Sequence, residues 1–496
     1  MAEQTVAFDR DAIRAFRFVD CTFDAATGEA RLAYAFDDGP VLVETLRFPG
    51  APFALDGART DAVTRALRLL HLIAGVSYYK AAVPPEIRID AYAIDATTAA
   101  FLTEVYENGL GEFAYRNGLA LRGKIRFPAL DLPLSHRERG RGEGSESDAT
   151  ASATEPSPGA SRHPGSSPGQ APLPAGEGKK LGLRPHALVA IGGGKDSLVT
   201  IEALRAAGIA QTVTWIGSSP LIRACAERTG LPTYNITRTL APELFDYNKR
   251  GALNGHIPVT AVNSAILVLA ALLRDADQVV FSNERSASYG SLIPGTGEVN
   301  HQWSKGWAFE RDFAAEVKRT IAADLSYYSL LRPLSELAVA RQFARSDRYD
   351  AHFSSCNRNF HILGERPAQR WCGVCPKCHF VFLALAPFMP KPRLLNIFGR
   401  NLLDESEQAA GFDALLEYRD HKPFECVGEG SESRAAMAAL AQSASWREDA
   451  LVERFAREVA PQLDAGDLGM EPLMEIDQQH RIPAALWDRL RVHFTS

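Results

Sequence analysis

Three consecutive glycines, followed by lysine, aspartate and serine, join an apolar segment to an amphipathic one. The apolar segment HALVAI (186–191) is a short continuous run, as is typical of a strand buried on both faces of a sheet. The segment DSLVTIEALRAAG (196–208) has helical periodicity and ends in glycine. A buried strand, a glycine turn and a helix in this order predict an α/β fold.

The glycine turn itself has the chemistry of a phosphate-binding site. Glycines allow the backbone to approach an anion closely, and the first turn of the following helix presents free N–H groups. A lysine supplies a positive charge and a serine supplies a hydroxyl donor, whereas an aspartate would repel phosphate unless Mg²⁺ lay between them. The alternative is an ordinary strand-to-helix turn. The residues of this candidate phosphate and Mg²⁺ site are Gly192, Gly193, Gly194, Lys195, Asp196 and Ser197.

Strands and helices continue to alternate after the turn. TVTWIG (212–217), PTYNIT (232–237) and QVVFSN (278–283) are predicted strands, and helical segments separate them. This alternation predicts a doubly wound parallel sheet within a domain of residues 183–400. Residues 401–496 are predicted to be mainly helical, with no role assigned.

The N-terminal part of the chain has a different pattern. Residues 17–48 contain three segments that alternate apolar and polar side chains, and residues 60–79 and 97–109 have helical spacing. These patterns predict a smaller α+β domain over residues 1–133. Residues 134–182 then form a linker or insertion, whose low-complexity part, 135–180, is predicted to be disordered because it contains so few apolar side chains.

Four cysteines are spaced as ligands of a metal ion. Cys372, Cys375 and Cys378 form two overlapping CxxC spacings, and Cys356 precedes them on a separate segment. Four thiolates close a tetrahedral zinc site without an open position, so we predict structural zinc. A redox dithiol at CGVC and ligation by His379 are the alternatives.

Composition narrows the class of protein. Seven cysteines in 496 residues are too few for a disulfide scaffold, and they favour a reducing compartment. Cys21 and Cys225 are predicted to be packed side chains, and Cys426 is left undecided. A net charge of −6 argues against nucleic acid as a partner. The chain has no long apolar run and no apolar leader, so we expect a cytoplasmic protein that does not insert into a membrane.

A dense polar segment over residues 282–313 directly follows a predicted strand. Asn283, Glu284 and Arg285 should therefore lie at the carboxyl edge of the sheet, where open α/β folds bind ligands. His301 and Lys305 follow in the same segment, next to two tryptophans. The alternative is a solvated loop with aromatic anchors.

The loop GGGKDS resembles that of the ATP pyrophosphatase superfamily, SGGxDS, whose members cleave ATP to AMP and pyrophosphate. Gly192 stands where that superfamily usually has serine, which removes one hydroxyl donor and leaves the backbone donors. The cysteine cluster resembles the zinc knuckle of 7-cyano-7-deazaguanine synthases, which belong to the same superfamily.

Nearly the whole chain resembles the MurL family of UDP-N-acetylmuramoyl-L-alanyl-L-glutamate epimerases. The resemblance covers FRFVDCTFD, GGGKDS, NERSAS, NHQWSKGWAFERDF and SSCNRNF…CGVCPKC. It implies ATP-dependent inversion of the terminal L-Glu of UDP-MurNAc-L-Ala-L-Glu through an acyl-adenylate, with release of AMP and pyrophosphate. It also implies a role in peptidoglycan synthesis, coupled to a ligase that adds L-Glu.

Such a reaction needs groups that remove and return one α-proton. The candidates are Glu284, His301 and Lys305, and Arg285 is a candidate for binding a substrate carboxylate through its planar guanidinium. The main alternative function is a nucleobase-modifying ligase resembling 7-cyano-7-deazaguanine synthase. A tRNA-thiolating enzyme and a non-enzymatic nucleotide sensor are further alternatives.

Overall fold

The computed structural model describes residues 8–130, 178–293, 297–360, 366–419 and 422–495. The segment predicted to be disordered falls outside these ranges except for its last three residues, so that prediction is not tested. The strands are β1 (Ala15–Asp24), β2 (Glu29–Phe36), β3 (Leu42–Arg47), β4 (Glu86–Ile89), β5 (Arg184–Ala190), β6 (Gln211–Ile216), β7 (Thr233–Thr239), β8 (Ala276–Phe281), β9 (Ser291–Ile293), β10 (Gly297–Val299) and β11 (Ser326–Ser329).

Helices connect most of these strands, and the regular structure of the described residues after 400 is helical, as the sequence predicts. They are α1 (Gly57–Ala74), α2 (Val76–Tyr79), α3 (Ala96–Gly109), α4 (Gly111–Arg116), α5 (Lys195–Ala206), α6 (Pro220–Arg228), α7 (Pro242–Lys249), α8 (Val259–Arg274), α9 (Trp307–Thr320), α10 (Glu336–Ala344), α11 (Pro376–Leu385), α12 (Lys391–Phe398), α13 (Ala409–Leu415), α14 (Gly430–Ala441), α15 (Ala450–Arg454), α16 (Glu471–Met474) and α17 (Ala484–Thr495). Short 3-10 turns, among them Arg285–Ser288 and Trp303–Lys305, lie between them.

Nine strands form one sheet in the order β11-β8-β5-β6-β7-β3-β2-β1-β4. Five neighbouring pairs are parallel and three are antiparallel. The expectation of a mixed α/β fold with a largely parallel sheet is therefore confirmed. The separate β9–β10 hairpin is antiparallel.

Helices cover both faces of the parallel strands. In β5, Leu188 belongs to one hydrophobic core, whereas Ala187 and Val189 belong to the other, on the opposite face. This two-sided burial explains why the strand is a continuous apolar run. The first core contains α1 and α8, and the second contains α5, α10 and α11.

Helix α8 shows how the sequence sets an element and its ends. It has no internal glycine or proline, it is buried along almost its whole length, and each buried leucine contributes about 1.5–3 kcal/mol. The helix ends at Asp275, which is left-handed with φ of 57°. The Asp275 carboxylate accepts hydrogen bonds from Arg59 at 2.6 Å and Arg184 at 2.5 Å, so it joins α1 to β5.

The N-terminal strands continue the same sheet. Antiparallel pairing of β3 with β7 joins the two predicted domains, and Arg238 on β7 forms a buried ion pair with Glu44 on β3 at 2.7 Å. The predicted domain boundaries stay a prediction, but the sheet crosses the first of them. In the described ranges, no helix has the length and apolar character needed to span a bilayer.

Candidate active site

The glycine turn lies between β5 and α5, as the sequence predicts. Gly193 has a φ of 83°, which favours glycine, and Gly194 is the N-cap residue of α5. The backbone N–H of Ser354 donates to the Gly193 carbonyl at 2.9 Å. A side chain added at Gly192 would meet no atom within 4 Å, so the backbone is open to a ligand there.

The three polar residues of the turn have partners within the protein. The Lys195 ammonium is buried and forms ion pairs with Asp196 and with Glu336. The Ser197 hydroxyl donates to the Gly194 carbonyl at 3.1 Å. The lysine and the serine, which the sequence assigned to phosphate, are thus engaged with the loop and the carboxylates in this structure.

Three adjacent parallel strands each place one carboxylate at their carboxyl ends. Asp196 follows β5, Glu284 follows β8, and Glu336 begins α10 after β11. Their carboxylate oxygens lie within 4.8 Å of one another, which makes them a possible cation-binding group. The edge of the sheet therefore brings together residues that are up to 140 positions apart in the sequence.

Local charges give two of these carboxyls opposite protonation states. Burial, together with the negative charges of Glu336 and Asp196, raises the pKa of Glu284 to about 8. Burial also disfavours charge on Asp196, but the positive charges of Lys195 and Lys377 outweigh it and lower the pKa of Asp196. Asp196 is therefore the better candidate for Mg²⁺, and protonated Glu284 is the better candidate for an acid.

A second polar cluster lies next to the carboxylates. His301 Nδ1 hydrogen-bonds the Glu112 carboxylate, and Lys305 Nζ lies 3.0 Å from Cys426 Sγ. His301 and Cys426 also lie close enough for each to shift the pKa of the other. The His256 ring lies 4.1 Å from the His301 ring, centroid to centroid. We call Glu112, His301, Lys305 and Cys426 the thiol cluster.

Opposite charges within the thiol cluster stabilise each other. Burial disfavours the charged form of His301, but its hydrogen bonds to Cys426 and Glu112 raise its pKa to about 9. Burial likewise disfavours the thiolate, but the Lys305 charge and the His301 hydrogen bond lower the pKa of Cys426 to about 5. His301 is then an imidazolium and Cys426 a thiolate at neutral pH.

Arg332 connects this cluster to a cavity of about 880 Å³. Its buried guanidinium pairs with Glu310 at 2.9 Å and donates to the backbone carbonyls of Glu284 (at 2.6 Å) and Lys305. Arg285 also lines the cavity, and its guanidinium donates to the Glu475 carbonyl at 3.3 Å. The structure thus places Arg285 on the cavity wall, apart from the thiol cluster.

The four predicted zinc ligands come together. The Sγ atoms of Cys356, Cys372, Cys375 and Cys378 lie within 4.8 Å of one another, and those of Cys372 and Cys378 are 3.7 Å apart. Zn–S bonds of about 2.3 Å in a tetrahedron require a sulfur–sulfur distance of about 3.8 Å, so this donor set fits zinc. His379 is packed elsewhere, hydrogen-bonded to Gln408 and stacked on Phe412.

The cysteine site also positions the candidate active site. Lys377 lies between two of the cysteines on α11, and its ammonium hydrogen-bonds the Cys426 carbonyl and lies 3.8 Å from Glu336. Ser354, which holds the glycine turn, is two residues before Cys356. The cysteine site is thus linked through Lys377 to Glu336 and Cys426, and through Ser354 to the glycine turn.

Sequence reasoning missed several polar residues of the site. Glu112, His256 and Glu336 come from distant segments, and no spacing in the sequence connects them to the glycine turn. Lys377 offered a signal, because it is a charged residue at the start of an otherwise apolar helix between two cysteines. Cys426 lies in a polar, glycine-containing loop, which is an unusual place for a packed thiol.

The fold and the site define an α/β protein whose charged groups gather at the carboxyl ends of parallel strands, beside a cysteine site suited to zinc. Ligands bind at this edge in open α/β folds. The family description "MurL N-terminal domain" matches residues 7–150 and 164–330, and "MurL C-terminal domain" matches residues 352–468. The chain belongs to the MurL family.

Similar proteins cover almost the full length of the chain. A Xanthomonas oryzae pv. oryzae protein named UDP-N-acetyl-alpha-D-muramoyl-L-alanyl-L-glutamate epimerase is 68% identical over 98% of this chain and 99% of its own length. A protein of the same name from Micromonospora sp. is 41% identical over 95% of this chain and 96% of its own length. A third, from Salinispora tropica, is 40% identical over 88% of this chain and 87% of its own length.

Proposed function

We propose that this chain inverts the α-carbon of the terminal L-Glu of UDP-MurNAc-L-Ala-L-Glu, using ATP and releasing AMP and pyrophosphate. The observation that carries the proposal is the 68% identity, over 98% of the chain, to a protein named as the epimerase of that substrate. The charged groups at the sheet edge support it, because they include both a protonated carboxyl and a thiolate. The product would supply D-Glu for peptidoglycan precursors.

The requirement for ATP follows from the charge of the substrate. A free carboxylate opposes removal of the neighbouring α-proton, because the product would carry two negative charges. Conversion to an acyl-adenylate removes the first charge, and each pKa unit by which the α-proton is acidified lowers the cost of removing it by about 1.4 kcal/mol. Hydrolysis of the adenylate then releases the epimer and AMP.

The glycine turn would hold the ATP phosphates, as in the ATP pyrophosphatase fold that we assign to residues 183–400. The open backbone at Gly192 and the N-terminus of α5 support this assignment. Asp196 would hold Mg²⁺, which screens the charge of the phosphates. Zinc on the four cysteines would be structural.

The remaining residues would bind the substrate and move the proton. Glu284, His301 and Lys305 are the acid–base candidates, and Lys305 could also stabilise a developing enolate oxygen. Arg285 would bind a substrate carboxylate from the cavity wall. We place the reaction in the cytoplasm, downstream of a ligase that adds L-Glu.

Incubation of the full chain with ATP, Mg²⁺ and UDP-MurNAc-L-Ala-L-Glu tests this proposal. We expect AMP, pyrophosphate and, after acid hydrolysis and chiral separation, D-Glu. The Asp196→Asn variant should form neither AMP nor D-Glu, because it loses the charge that would hold Mg²⁺. Recovery of L-Glu alone from the wild-type reaction would refute the epimerase function.

A further inference from the structure

Cys426 lies among positive charges from two separate parts of the chain. Lys305 Nζ is 3.0 Å from Sγ, and the positive charge of His301, from the same segment as Lys305, also favours the thiolate. The Lys377 ammonium hydrogen-bonds the backbone carbonyl of Cys426. The Cys426 residue is partly exposed.

A carboxylate fixes the imidazole that contacts the sulfur. Glu112 on α4 hydrogen-bonds His301 Nδ1, and the positive charge of the His301 imidazolium stabilises the Cys426 thiolate. Glu112 is buried, and its second partner is Arg116, one turn further along α4. A thiol, an imidazole and a carboxylate in series form the arrangement that activates cysteine in enzymes.

This arrangement is more than packing requires. A cysteine that only fills space is stable as a neutral thiol among apolar side chains. Cys21 and Cys225 fit that description, because burial raises the pKa of each to about 12. At Cys426 the chain instead places desolvated cations around a sulfur, which stabilises the structure only if the sulfur is charged.

We propose that the Cys426 thiolate is the base that removes the α-proton of the activated glutamyl residue, and that His301 and Glu112 are its positioning residues. This inference rests on the proposed function. In the step, the Cα–H bond breaks, an S–H bond forms, and the electron pair passes into the enolate. An acid on the opposite face, for which Glu284 is the candidate, returns a proton to Cα; the thiol then loses its proton to water and the acid regains one from water.

The assignment changes the role of His301. His301 Nδ1 is occupied by Glu112, and with a pKa of about 9 the ring is already protonated at neutral pH, so it does not accept the α-proton. Lys305 is likewise occupied by the sulfur. The thiolate is the anionic group that these two cations stabilise, and it is the group beside them that can accept a proton.

The Cys426→Ser variant of the full chain tests the inference, in D₂O with ATP, Mg²⁺ and UDP-MurNAc-L-Ala-L-Glu. A serine hydroxyl is nearly isosteric but is not ionised at neutral pH. We expect deuterium incorporation at Cα and D-Glu formation to fall by about 100-fold or more. AMP formation should stay within about threefold of wild type, because adenylation precedes the proton transfer. The Cys21→Ser variant is the matched control and should keep both activities.

The positioning residues have a separate readout. Glu112→Gln should slow alkylation of Cys426 by iodoacetamide at pH 6 by about tenfold and should lower kcat for epimerisation without changing KM. Cys21 should resist iodoacetamide at this pH in every variant. A purely structural role for Glu112 would leave the alkylation rate of Cys426 unchanged in folded protein.

Three outcomes would overturn the inference. Wild-type deuterium incorporation by Cys426→Ser would assign the base to another residue and leave the proposed function intact. A substrate adduct on Cys426 in the intact mass of the wild-type protein would make the sulfur a nucleophile. Slow alkylation of Cys426 at pH 6 would show that it is a neutral thiol. Absence of D-Glu from the wild-type reaction would instead be a failure of the proposed function.

Discussion

At neutral pH, Glu284 is protonated and Cys426 is ionised, and both states are unusual for these side chains. Glu284, with a pKa of about 8, keeps its proton at neutral pH because it is buried beside two other carboxylates. Cys426, with a pKa of about 5, has lost its proton because of Lys305 and His301. An acid and a base with pKa values on either side of 7 are what a neutral-pH proton transfer requires.

These two values predict how deuterium incorporation depends on pH. The rate should rise as pH increases through about 5, where Cys426 ionises, and fall above about 8, where Glu284 loses its proton. Lys305→Met removes the charge nearest to the sulfur. The pKa of Cys426, measured from the pH dependence of its alkylation, should therefore rise by about 1–3 units. A Cys426 pKa that stays near 5 in Lys305→Met would contradict this explanation.

Two neighbouring glycines of the turn should respond differently to the same substitution. Gly193→Ser forces a side chain into a φ of 83° and should lower the free energy of unfolding by about 1–2 kcal/mol. Gly192→Ser introduces a side chain that meets nothing within 4 Å and should change that free energy by less than about 0.5 kcal/mol. Urea unfolding of the two variants measures both effects. Equal destabilisation would mean that the turn has a different conformation in solution.

Helix α11 combines two roles, because it carries Cys378, one of the four predicted zinc ligands, and also Lys377. Pro376 is at its first turn and Cys375 is its N-cap residue, so the helix begins at the cysteine site. Lys377 then points from this first turn to Glu336 and to the Cys426 carbonyl. The position of one cation of the site therefore depends on the geometry of the four sulfurs.

If the four cysteines hold zinc, as we propose, its removal should lower catalytic activity without removing a catalytic group. Cys375→Ser, or treatment of the wild type with a chelator, should lower AMP formation at least tenfold, because Lys377 and the Ser354–Gly193 contact lose their support. Metal content by elemental analysis and pyrophosphate release are the measurements. Added zinc should restore the chelated wild type but not the variant. Full activity of metal-free protein would refute the structural role.

Seven of the eleven strands in the described residues, the glycine turn and the gathering of the four cysteines were predictable, because periodicity and short spacings are local. The short strands β4, β9, β10 and β11 were not predicted. Glu112, Glu336 and Cys426 were not predictable, because their neighbours are fixed by the order of β11, β8 and β5 and by helix packing. The domain boundary near residue 133 was drawn where the composition changes, and composition carries no information on the pairing of β3 with β7.

At the scale of the molecule, the antiparallel and parallel halves share one sheet and a buried ion pair. Glu44 and Arg238 lie on β3 and β7, 2.7 Å apart, and Arg238 also donates to Ser77 Oγ at 3.1 Å. Because β3 and β7 are the adjoining strands of the two halves, the ion pair joins one half to the other. Stability of one half should then depend on the other.

Glu44→Gln should lower the free energy of unfolding by about 3–5 kcal/mol, because Arg238 would stay buried without its counter-charge. Unfolding in urea, followed by circular dichroism, should remain a single transition. Glu29→Gln is the matched control on β2: its partner Arg47 is exposed, so the loss should be under about 1 kcal/mol. Two separated transitions in the Glu44→Gln protein would indicate that the halves fold independently.

The β3–β7 pairing has a consequence for attempts to divide this chain. A fragment that begins near residue 183 would lose β3 and expose the hydrogen-bonding groups along that side of β7. An unpaired edge of this kind is a template for strand addition by other copies, so such a fragment should aggregate. A chain that lacked its first third would therefore be insoluble and would not form an independent catalytic unit.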